Sequence, residues 1–122
     1  MTVATLTLVF AFLGAVFTGS LAFLFLRDPE RALVATTHRL EQLPKVMADR
    51  YFAFTLLALG AVVYGDFKVI AYLFAVYSFL GFADAWIYSR IGKSYVKHFA
   101  AGVLAIIVMI TALLALNSGV TA

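Results

Sequence analysis

Cysteine is absent from this chain, which excludes disulfides and thiolate metal ligands alike. Charge is scarce: Asp, Glu, Lys and Arg make up 12% of 122 residues, where a soluble domain carries about 25%. There is no glycine-rich phosphate loop, no Gly-x-Ser-x-Gly turn and no His-Glu-x-x-His helix. The two histidines lie in different segments, too few donors for a three- or four-ligand zinc site. No metal and no cofactor is therefore expected. A net charge of +3 is too small to read as a nucleic-acid footprint, so no nucleic-acid partner is expected.

What the chain has instead is long uncharged runs, with 65% of its residues hydrophobic. Such runs indicate an integral membrane protein of all-α class, because a helix satisfies its own backbone hydrogen bonds in lipid. The dyad alternation of a membrane β-barrel is missing. The expected architecture is a single membrane domain over 1–122, a four-helix bundle with a short interfacial helix after the first span. The start, Met1-Thr2-Val3-Ala4, has no basic n-region, so the first span is expected to be retained rather than cleaved.

The expected spans are 3–26, 45–65, 67–89 and 94–116. Arg27-Asp28-Pro29 ends the first, and Asp28-Pro29-Glu30 is a helix start: a cap, proline at the first position and an acid near the positive dipole end. Segment 28–41 interleaves Arg31, His38 and Arg39 with apolar residues and suits a helix lying on the membrane surface, with His38 solvated. The uncharged core of the second span, Tyr51 to Gly65, is only about 22 Å long. Extending it back towards Pro44 restores a bilayer length and places Asp49 and Arg50 inside the helix. Lys68 can snorkel at the start of the third span.

Orientation follows from basic residues. With four spans, the connections after the first and third share one side. They hold Arg27, Arg31, Arg39, Lys45, Arg50, Arg90, Lys93 and Lys97, leaving Lys68 alone of the nine on the other. The positive-inside rule then puts both termini outside. Trp86, Tyr88, Tyr95 and Tyr51 would form the inner aromatic belt, and the expected location is a multi-pass protein of a bacterial inner membrane.

Asp84 stands out because it is the only charge between Val69 and Ser89. A carboxylate at that depth needs a partner, a proton or a water-filled cavity. Counting from the turn at Gly65-Asp66, Arg50 lies about 24 Å and Asp84 about 27 Å along their helices. Counting from Gly92, Asp84 and His98 differ by about 3 Å of rise. Three spans thus bring Arg50, Asp84 and His98 to one layer. His98 shares a stripe with Gly102, Ala105, Met109 and Ala112, of the kind that meets a neighbouring helix. Tyr88 shares the Asp84 face. Arg50 and Asp84 are either a structural ion pair locking the hairpin, which would strand a charge if one partner were removed, or part of a ligand or proton site.

Leu43-Pro44-x-x-Met47-Ala48-Asp49-Arg50-Tyr51, Asp84 late in span three and Lys97-His98-Phe99-Ala100-Ala101-Gly102 opening span four are the most distinctive stretches. Over about 28–116 the chain resembles small bacterial four-helix membrane proteins of the DoxX-like group and neighbouring families of unassigned function. The resemblance implies an inner-membrane four-helix bundle whose polar site is Arg50, Asp84 and His98; it supplies no activity. The expected function is binding of a lipid-like or amphipathic small molecule at that layer, through Arg50, Asp84, His98 and Tyr88. In an enzyme, His98 would carry the proton, Asp84 would orient it and Arg50 would hold an anionic group. The alternatives are an accessory subunit docking into a larger membrane complex and a small proton-coupled transporter built as a homo-oligomer. Membrane lipid is the expected surroundings in every case.

Overall fold

A computed structural model describes residues 3–119; readings that fall on Met1, Thr2 and 120–122 lie outside it. The described residues are all-α, with no strand among them. Helix α1 is Val3–Arg27, α2 Pro29–Ala35, α3 Leu43–Tyr64, α4 Phe67–Arg90 and α5 Val96–Asn117, with a 3₁₀ turn at Leu40–Gln42. The four long helices are each long and apolar enough to cross a membrane. Even the 22 residues of α5 reach about 33 Å, against a hydrocarbon core of about 30 Å. The chain is a multi-pass membrane protein. The expected spans agree with these helices to within about two residues at each end, and the short helix stands where it was expected, after the first span.

The chain forms two compact units, Met1–Asp49 and Arg50–Ala122. In the first, Asp28 serves both helices beside it. Its backbone N–H donates to the Leu24 carbonyl at 2.8 Å, and its carboxylate accepts from the Arg31 N–H at 3.0 Å. Pro29 follows at the start of α2, where no donor is lost. Helix α2 contacts α1, and Ala32 at its centre is fully buried (0% exposed). The end of α2 is a two-bond stop: the Thr37 N–H donates to Val34 O at 3.1 Å and the His38 N–H to Leu33 O at 2.9 Å. Such a stop needs one left-handed residue, usually glycine. Here it is Thr37, at φ +56°.

The second unit is organised by a seam of small residues. Helix α4 buries Ala71, Ser78, Gly81 and Ala85, and α5 buries Gly102, Ala105 and Ala112. In lipid, apolar side chains gain nothing by leaving their solvent, so helices associate where small residues let backbones approach. The tightest of the glycine positions is Gly81. A Cβ placed there would lie 2.6 Å from the Gly102 backbone nitrogen and 2.9 Å from the His98 carbonyl oxygen. The expected stripe on α5 is therefore used within the chain, against α4.

Helix α3 meets α4 differently, through aromatic side chains. The Tyr77 hydroxyl donates to the Phe54 carbonyl at 2.6 Å, and the two rings lie 5.5 Å apart. The connection is a tight turn with Gly65 at φ +72°, after which Asp66 caps α4 by accepting from the Lys68 N–H at 2.7 Å.

Candidate functional site

Three of the four expected site residues come together where α4 ends and α5 begins. Asp84 and Tyr88 are one helical turn apart on α4, on the edge of the face that meets α5. His98 sits in the first turn of α5, brought in by the Gly81–Gly102 approach beside it. Its Nδ1 lies 3.5 Å from the Asp84 carboxylate, an ion pair when the ring is protonated. That is longer than a strong charged hydrogen bond of about 2.7–2.9 Å. The Tyr88 ring stacks on the imidazole, centroids 4.8 Å apart and planes within 9°.

The cluster is neither sealed nor fully solvated, with the His98 side chain 34% exposed and that of Asp84 49%. Among the described residues, none hydrogen-bonds the Nε2 edge of His98. The ring is thus approached at one nitrogen by the carboxylate and covered on one face by Tyr88. No third His, Asp or Glu gathers with the pair among the described residues. The chemistry it can offer is proton exchange, hydrogen bonding and a stacked cation, not metal coordination by protein alone.

Arg50 does not join them as an ion pair. It is exposed on α3, and among the described residues the carboxylate of Asp84 is paired with His98 instead. The reason is the spacing of the helices. Glycines let α5 close on α4, whereas the Phe54 and Tyr77 rings hold α3 at side-chain distance. The Tyr77–Phe54 bond also sets the register: Arg50 lies about 6 Å and Asp84 about 10 Å along their helices from it, towards the same end. Of the two alternatives for Arg50 and Asp84, the ion pair is not formed among the described residues. His38 also departs from expectation, being partly buried with its Nδ1 shielded and unpartnered rather than solvated.

A feature that sequence reasoning missed lies on the other edge of the same seam. Phe82, Ala85, Trp86 and Ser89 of α4 line a groove of about 360 Å³ with Tyr95 and Phe99 at the start of α5. The signal was available, because Phe82, Trp86 and Ser89 follow helical spacing, as do Tyr95 and Phe99. Of these residues, the belt reading covers Trp86 and Tyr95 alone and leaves Phe82 and Phe99 without a role. No family model, curated protein or solved structure matches this chain.

Proposed function

We propose that this membrane protein binds a lipid-like or amphipathic small molecule at the polar layer formed by Asp84, Tyr88 and His98. The observation that carries the reading is the half-open triad, with a histidine oriented by a carboxylate, backed by a tyrosine ring and free at Nε2. An intramembrane carboxylate beside an oriented imidazole suits a polar ligand head better than it suits a scaffold. Arg50, exposed and close to the same depth, is placed to hold an anionic group on the ligand. In a catalytic version of the site His98 moves the proton and Asp84 orients it.

The eight-to-one division of basic residues supports an orientation with both termini outside and this layer at the cytoplasmic interface of a bacterial inner membrane. We further propose kinship with the DoxX-like group, on the stretches around Arg50, Asp84 and His98. The accessory-subunit reading has less support, because the small-residue stripe that would dock a partner is covered by α4.

Native mass spectrometry from mild detergent tests the reading. The expected result is a co-purifying amphiphile on the wild-type chain, lost from both Asp84→Asn and His98→Gln while the helical fold persists. A bound molecule retained equally by both variants would sink the proposal.

A further inference from the structure

We propose that the groove on the second edge of the α4–α5 seam docks one acyl chain of an anionic phospholipid, with the headgroup phosphate held by Arg90 and Lys93. The groove lining carries no charged side chain. The rings of Phe82 and Phe99, 5.4 Å apart and edge to face, form its end nearer the membrane interior. Trp86, 65% exposed, stands with Ser89 and Tyr95 nearer the helix ends, where interfacial aromatics belong. A volume of about 360 Å³ is at the small end of ligand sites, suited to part of one chain rather than a whole lipid.

Charge complementarity identifies the occupant. The Arg90 guanidinium carbon lies 5.4 Å above the centre of the Trp86 ring, which puts a cation at the mouth of the groove. Lys93 is exposed in the turn that follows, where its backbone N–H closes α4 on the Tyr88 carbonyl at 3.0 Å. Neither makes an ion pair among the described residues. No Asp or Glu follows Asp84 in the sequence, and Asp84 is engaged by His98 on the opposite edge of the seam. Within α4, the turn and α5, the mouth therefore carries cations with no carboxylate on its own edge, above an apolar slot. A soluble anion would leave the slot unfilled, and a zwitterionic lipid would offset its own phosphate with its amine. An anionic phospholipid satisfies both parts, as basic pockets beside membrane helices do. This reading uses different residues from the polar site and stands apart from it.

Trp86 is the only tryptophan, so intrinsic fluorescence reports on the groove directly. The full chain is reconstituted in phosphatidylcholine nanodiscs carrying increasing fractions of acyl-brominated phosphatidylglycerol or acyl-brominated phosphatidylcholine. Each basic side chain near a headgroup contributes roughly fivefold in partitioning, so with two of them half-maximal quenching should need roughly twenty-five-fold less of the brominated anionic lipid. Replacing both cations, Arg90→Gln with Lys93→Gln, should bring the two curves together. The charge-keeping pair Arg90→Lys with Lys93→Arg should retain the preference, as should Lys68→Gln at the other end of α4 and Asp84→Asn in the polar site. Equal quenching by the two lipids in the wild type would overturn the assignment. So would a preference that survives the double neutral variant, or one that is lost in the charge-keeping pair or in Lys68→Gln.

Discussion

Replacing Gly81 by alanine adds one methyl group where the α4 backbone packs directly on that of α5. Its Cβ would meet the Gly102 nitrogen at 2.6 Å and the Gly102 Cα at 2.7 Å, both backbone atoms that cannot rotate aside. Ordinary van der Waals contact begins near 3.4 Å, so the helices must separate locally by about 0.8 Å. Overpacking of this kind costs about 1–3 kcal/mol, while alanine regains about 0.5–1 kcal/mol of helix preference over glycine. The net expectation is a loss of about 1–2 kcal/mol. The same separation moves the first turn of α5, so the 3.5 Å approach of His98 to Asp84 opens with it. Gly60→Ala is the matched control, since a Cβ at that position on α3 has nothing within 4 Å and should be neutral or slightly stabilising. Gly102→Ala lies between them, because the nearest atoms its Cβ would meet belong to the Phe82 ring, at 3.0 Å, and a ring can turn. Unfolding in a mixed-micelle titration gives the three stabilities, and NMR shifts of the His98 ring report the site. Equal stability of Gly81→Ala and Gly60→Ala would refute the seam.

Four further outcomes follow from particular contacts. In a double-mutant cycle of Asp84→Asn with His98→Gln, the partly exposed pair should show coupling of about 0.5–1 kcal/mol, while Asp84→Asn with Arg50→Gln should be additive; the reverse ranking would restore the Arg50 pair. Tyr77→Phe keeps the ring packing but loses the donor to Phe54 O, so unfolding free energy should fall by about 0.6 kcal/mol, the average for interhelical hydrogen bonds in membranes; no loss would mean the bond does not hold α3. Thr37→Gly should raise thermal stability, since a left-handed residue with a Cβ is strained by about 1–2 kcal/mol and glycine's extra chain entropy cancels only about half of that; a lowered melting point would show that the Thr37 side chain matters more than its backbone. Reporter fusions at Gln42 and Asn117 should read inside and outside respectively, and a cytoplasmic Asn117 would reverse the proposed orientation.

Helix limits were legible in the sequence because the signals that set them are local. Asp28-Pro29, Gly65-Asp66 and Gly92 each act within one turn of chain, and the structure uses each of them as a cap or a turn. Depth was legible too, since rise per residue carries Asp84 and His98 to one layer whatever the helices pack against. The identity of Asp84's partner was not, because it depends on how closely each neighbour approaches. That distance is set by pairs of residues far apart in sequence, Gly81 with Gly102 on one side and Phe54 with Tyr77 on the other. The sequence pattern shows small residues on α4 and α5 but not which stripe meets which. The 2.6 Å approach at Gly81 decides it, since a face without a Cβ lets a first-turn histidine of α5 come up to a carboxylate in the last two turns of α4. Arg50 lies at a similar distance along its helix, yet the rings between α3 and α4 keep it from pairing with Asp84. The same close seam, flanked by large rings on one edge and by Asp84 and Tyr88 on the other, produces both candidate sites. Widening it at Gly81 should therefore disturb the polar triad and the aromatic groove together, whereas changes at Arg90 and Lys93 should reach the groove alone.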